Sequence, residues 1–170
     1  MNLSSKLFVL LILVGFAYYY FKYIRKPNLK LDEIEIESID GQKIDIQNYV
    51  GKPLIVNFWS SWCGPCLKEL PHFKQINKRY GGDVTFLLIS EENPEKIIPF
   101  KNSFDFEFVL SSKSFNSYGV NTWPTTYFYD SDGLLKDKVN GSLTLKDLEK
   151  KISKIMPSSS SSKDLKLPQQ

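Results

Sequence analysis

Cys63 and Cys66, the two cysteines of the chain, lie in the stretch NFWSSWCGPCLKELP (Asn57 to Pro71), separated by Gly64 and Pro65. Cysteines at this spacing serve disulfide exchange, metal binding or a structural cross-link. If the pair opens a helix, Cys63 stands at its N-terminus and Cys66 one turn inside on the same face, near enough to close a short disulfide. Free amides and the helix dipole at that end favour a thiolate on Cys63, which makes it the attacking sulfur and Cys66 the resolving thiol. A cross-link closing so small a loop removes little entropy from the unfolded chain, and 170 residues hold core enough to do without it. Zinc calls for about four ligands; beyond the cysteines only His72 and acids are at hand, so no metal is assigned.

The surrounding elements read as a strand feeding a helix. PLIVNFWS (Pro53 to Ser60) is a nearly continuous apolar run, as in a strand buried on both faces. From Gly64 to about Arg79, Leu67, Leu70, Phe73 and Ile76 recur every three positions, which predicts a helix, and Pro71 within it predicts a kink. VTFLLIS (Val84 to Ser90) is a second buried strand, followed by a helix from Pro94 to about Asn102, a short strand FEFVL, and a helical turn or two ending at Gly119. TTYFYDSDGLLKDKVNG predicts two strands joined at Asp132-Gly133, and Thr144 with Asp147 opens a last helix from Leu145 to Ile155. Ahead of all these, IEIESIDGQKIDI alternates around Asp40-Gly41 and predicts an edge hairpin pairing Ile34 to Ile36 with Ile44 to Ile46. The fold class is therefore α/β.

Four regions follow: an N-terminal apolar segment (1–26), a linker (27–30), one domain (31–156) and a Ser-rich tail (157–170) too poor in apolar residues to bury itself. Nothing catalytic is expected beyond Ile155. The apolar run from Leu7 to Phe21 would span roughly 22 Å as a helix, and reaches further, to Ile24, if Lys22 snorkels. It reads as a minimal membrane anchor with tyrosines at the interface. Lys6, the apolar core Leu7 to Val14 and Gly15-Phe16-Ala17 also fit a cleaved signal peptide. Either reading places the domain outside the cytoplasm, although a literal positive-inside count points the other way. The formal charge of +3 comes from this end: five basic residues up to position 30 stand without an acid, leaving 17 basic against 19 acidic residues in the remainder. No basic surface remains for nucleic acid.

VNFWSSWCGPC, with Pro71 five residues after Cys66 and WPTTYFYDSDG about sixty residues on, resembles the thioredoxin superfamily over roughly Leu31 to Ile155. The apolar N-terminal segment, the leading hairpin and Pro-Thr-Thr resemble the membrane-tethered, extracytoplasmic thiol-disulfide reductases of the TlpA/ResA type. The resemblance implies a thioredoxin-like fold, a central mixed β-sheet flanked by helices with an N-terminal β-hairpin extension. It further implies a cis Pro124 against the cysteine pair, leaving the Trp123 backbone to pair strand-like with a substrate peptide. No cofactor is required. The partners implied are a disulfide-containing protein substrate and a membrane thiol electron donor that reduces the Cys63–Cys66 bridge again. Cytochrome c maturation, through apocytochrome c thiol reduction, is a common task of similar proteins. Alternatives are an oxidase that introduces disulfides, or a thioredoxin-fold module that binds peptide or copper; the intervening Gly-Pro resembles the reducing members.

Two departures from the resemblance stand out. Where cytoplasmic thioredoxins place a buried acid before Phe-Trp, this chain has Asn57, which cannot act as a base. The resembling reductases carry a glutamate after the second central strand, and Glu91 and Glu92 stand there; alignment on Phe100 favours Glu92 as acceptor of the Cys66 proton. The same two acids would also suit the positive end of the following helix. The second departure is Trp123, a large aromatic before the proline, which either narrows the groove, offers substrates a stacking surface or simply packs. Trp62 is expected to form an apolar rim beside an exposed Cys63 sulfur, with Trp59 supporting it from beneath, and His72 is given no role.

Overall fold

The computed structural model describes residues 3–20, 29–80 and 82–157. Helix α1 (Leu3–Tyr19) precedes β1 (Ile36–Glu37), β2 (Lys43–Ile44), β3 (Leu54–Phe58), α2 (Gly64–Tyr80), β4 (Thr85–Ser90), α3 (Pro94–Ser103), β5 (Glu107–Ser111), β6 (Thr125–Tyr129), β7 (Leu135–Asn140) and α4 (Leu145–Ile155). The strands form one mixed sheet in the order β2-β1-β5-β4-β3-β6-β7. The runs read as buried on both faces are its centre: β3 lies parallel to β4 and antiparallel to β6, and β4 is parallel to β5. This is the thioredoxin-like α/β arrangement that the sequence led us to expect.

Alternation along β3 sorts its side chains between two cores. Ile55 points to the side of α2 and α4, where it joins Leu70, Phe73, Leu148 and Ile152. Val56 and Phe58 point to the other side, into a cluster with Leu87, Ile89, Tyr127 and Tyr129 that the N-terminal residues Leu29, Leu31 and Ile34 cover. Asn57, two residues from Ile55, therefore faces α2 as well. That orientation sends its amide into the site.

Three local features differ from the sequence reading. The N-terminal hairpin is shorter, with Ile36 paired to Ile44 and Glu37 to Lys43. The Asp45 carboxylate accepts the Gln47 amide proton at 2.9 Å and caps a 3-10 turn at Ile46–Tyr49, which ends the strand before Ile46. Leu29, read as linker, is buried, and its carbonyl accepts the Tyr129 hydroxyl at 3.0 Å, so it belongs to the packed body. On α2, which runs through Pro71 as expected, the buried stripe is Cys66, Glu69, Leu70, Phe73 and Ile76 and leaves out Leu67.

Helix α1 is apolar on every side and exposes Leu7 through Val14. Among the described residues no helix is long and apolar enough to cross a membrane. The remainder of the apolar segment, half of the linker (27–28) and the Ser-rich tail after Pro157 lie outside the described residues.

Candidate active site

Strand β3 delivers the chain to Trp59, whose amide bonds the Ile89 carbonyl at 3.1 Å, and a tight turn follows in which the Cys63 amide bonds the Ser60 carbonyl at 3.1 Å. Helix α2 starts at Gly64, so Cys63 holds the N-cap position. Its sulfur accepts the Cys66 amide proton at 3.2 Å, the bond a capping oxygen would make with the third helical residue. Pro65, between them, has no amide proton to satisfy. The two sulfurs are joined, with an S–S distance of 2.05 Å and Cα atoms 5.3 Å apart. When the bridge opens, the same amide and the helix N-terminus stabilise negative charge on Cys63.

Burial separates the two sulfurs only slightly. Cys66 is fully buried and Cys63 is 4% exposed, so Cys63 is not the exposed residue expected from the sequence. Trp123 is one of the partly buried side chains packed on the cluster that contains both cysteines. Trp62, 67% exposed, meets Trp123 with ring centroids 5.7 Å apart. The Trp123-Pro124 peptide is cis. The Pro124 carbonyl accepts the Gly141 amide at 2.7 Å; among the described residues no hydrogen bond engages the Trp123 backbone. Trp59 lies beneath, fully buried, edge-on to Phe100 at 4.9 Å and to Phe108 at 5.5 Å.

Glu92 reaches the motif from the end of β4. Its carboxylate accepts the Ser61 amide at 2.5 Å and the Ser61 hydroxyl at 2.8 Å, which fastens the turn two residues ahead of Cys63. Ser90 adds a hydroxyl contact at 3.4 Å. Glu91 faces elsewhere, accepting the Phe115 amide at 2.8 Å. Both carboxylates are thus engaged in holding loops.

A carboxylate that the sequence reading passed over sits inside the site. Glu69 lies one turn after Cys66 on the same buried stripe of α2, positions whose Cβ atoms stand about 5–6 Å apart. It is 1% exposed. One oxygen accepts the Asn57 amide at 2.8 Å, and the other accepts the Leu143 backbone amide at 3.0 Å. Asn57 gives its second amide proton to the Thr126 hydroxyl at 2.9 Å. Burial pushes the Glu69 carboxyl up to about 7, against the pull of the Leu143 and Asn57 donors. His72, one turn further along, holds the Leu143 carbonyl at 3.0 Å through Nδ1. Among the described residues no three His, Cys, Asp or Glu side chains come together as a metal site.

A redox cysteine pair at the helix that follows a central strand, with a cis proline opening the strand that pairs antiparallel to it, defines a thiol-disulfide oxidoreductase of thioredoxin-like fold. The chain belongs to the AhpC/TSA family, whose model matches residues 27–138. Thiol-disulfide oxidoreductase ResA of Bacillus anthracis is 28% identical over 169 residues, covering 92% of this chain and 98% of the relative. Thioredoxin-like protein YneN of Bacillus subtilis is 28% identical over 127 residues, 71% of this chain and 75% of that one. The crystal structure of StoA from Bacillus subtilis matches with a TM-score of 0.57 at 29% identity, covering 69% of this chain and 94% of that structure.

Proposed function

We infer that the protein works as a reductase outside the cytoplasm, with Cys63 as nucleophile, Cys66 as resolving thiol and Glu69 as the acceptor of the Cys66 proton. The observation that carries this reading is the buried Glu69 carboxyl one turn behind Cys66, tuned by burial to about 7. The Cys63 thiolate attacks one sulfur of a substrate disulfide, forming a mixed disulfide and releasing the other sulfur as a thiolate. Cys66 then loses its proton to Glu69 and attacks the Cys63 sulfur. The second substrate thiolate leaves, and the two electrons come from the dithiol, which ends as the Cys63–Cys66 bridge. A membrane dithiol donor returns the pair to its reduced form. We assign Glu92 to holding the motif turn, where its oxygens receive the Ser61 amide and hydroxyl, and the proton to Glu69, whose carboxyl burial raises to about 7.

Trp62 and Trp123 together form the surface on which the substrate peptide lies, and the Trp123 backbone pairs with it beside Pro124. Helix α1 supports membrane association, since an apolar surface on every side has no use in water. The substrate we put first is an oxidised apocytochrome c cysteine pair, on the family resemblance. Cys66→Ser tests the scheme: the variant should accumulate mixed disulfides through Cys63, identifiable by mass spectrometry of non-reduced complexes. If the same partners are retained without a covalent bond, the protein is a peptide-binding module and the reading fails.

A further inference from the structure

Asn57 occupies the position where a buried acid would otherwise stand, yet it is as deeply placed as Glu69, each 1% exposed. Its two amide protons are both used, one on Glu69 at 2.8 Å and one on Thr126 at 2.9 Å. Its own oxygen, Oδ1, is buried and has no hydrogen-bond partner among the described residues. An unpaired buried acceptor beside a fully used donor is costly unless the acceptor is needed in another state.

That other state follows from the chemistry of Glu69. When Glu69 carries a proton on the oxygen facing Asn57, an O–H points at an N–H, and the bond that stabilised the carboxylate becomes a clash of donors. Half a turn of the Asn57 amide removes it. Oδ1 then accepts from the Glu69 hydroxyl, and the Thr126 hydroxyl, which can donate as well as accept, turns its proton to the same oxygen. Either orientation makes two bonds with one end of the amide and leaves the other end unpaired. The number of satisfied groups does not change with the proton. The second Glu69 oxygen keeps the Leu143 amide throughout, so the carboxyl itself need not move.

We propose that Asn57 is a positioning residue whose side-chain amide turns over with the proton on Glu69, presenting Nδ2 to the carboxylate and Oδ1 to the carboxylic acid. The inference rests on Glu69 as proton acceptor. The groups around the carboxyl leave Asn57 as the side chain that responds. From β6 the neighbour is Thr126, the cross-strand partner of Asn57, and from β4 that partner is the apolar Leu88. On α2 the neighbours are Cys66, one turn before and held in the disulfide, and His72, which reaches the Leu143 carbonyl and not the carboxyl. Asp at position 57 would set two carboxylates against one another, and an apolar residue would serve neither state. An amide serves both.

The test is a pH titration of the oxidised full chain, solubilised in mild detergent, by NMR from about pH 5 to pH 9, following the Glu69 carboxyl carbon and the Asn57 side-chain amide. The expected result is one shared midpoint near neutrality for both nuclei. In Asn57→Leu the Glu69 midpoint should rise by about one to two pH units, the loss of one hydrogen bond to a charged group. Asn57 amide signals that stay fixed while Glu69 titrates would overturn the proposal and leave Glu69 as acceptor. A Glu69 that stays ionised throughout would overturn both. The wild-type titration decides even if Asn57→Leu does not fold.

Discussion

Replacing Glu69 by Gln isolates the electrostatic cost of the buried carboxyl. A rise from 4.5 to about 7 means that the folded protein holds a proton on Glu69 through a range in which the unfolded chain has released it. Folded stability therefore falls as pH rises from about 4.5, and levels off above about 7. At 1.36 kcal/mol per pH unit the loss amounts to about 3 kcal/mol. With Glu69 almost wholly buried, solvent does little to screen it. Glu69→Gln removes the titration while keeping the side-chain shape, so wild type and variant should diverge with pH, the variant gaining about 3 kcal/mol relative to wild type between pH 4.5 and pH 8. Urea unfolding of the oxidised full chain in mild detergent, followed by tryptophan fluorescence at a series of pH values, reads the difference while other titrating groups cancel. A pH-independent difference would refute the reasoning. So would the opposite slope, which is what an ordinary ion-paired carboxylate produces.

Glu92→Ala removes two bonds to Ser61 and should cost about 1–3 kcal/mol by the same unfolding assay, with the Glu69 midpoint unmoved; a shifted midpoint would return Glu92 to the proton path. Trp62→Ala should leave stability within about 0.5 kcal/mol because the ring is exposed. It should nevertheless slow reduction of a protein disulfide more than that of a small aromatic disulfide, and equal slowing would argue against a peptide-docking role. Thr144 accepts the Asp147 amide at the start of α4, so Thr144→Ala should destabilise the fold by about 1 kcal/mol without changing the redox properties.

The cysteine motif and its placement were legible because strong local patterns agreed. Nearly continuous apolar runs marked β3 and β4, and such runs occur where a strand is covered on both faces. Glu69 was not legible in the way the helix was read. A strict period of three through Leu67, Leu70, Phe73 and Ile76 leaves Glu69 out, whereas a period of 3.6 running from Cys66 takes it in with Leu70 and Phe73. The signal existed in the spacing Cys66 to Glu69. What decides burial is the Leu143 amide, 74 residues away in sequence, which local pattern cannot supply. Glu92 stood out by position, but Ser61 offered no cue that its amide and hydroxyl would bond the carboxylate. The N-terminal hairpin was overextended because alternation continues past Ile44 while the Asp45 cap ends the strand.

The measurement that bears most directly on the reductase reading is the equilibrium reduction potential of Cys63/Cys66, obtained from tryptophan fluorescence against thiol-disulfide buffers of known ratio. The reductase reading, for which the Gly-Pro pair between the cysteines resembles that of reducing members, predicts a value well below the glutathione poise and near about −270 mV. A value near about −120 mV would contradict it and make the protein a donor of disulfides.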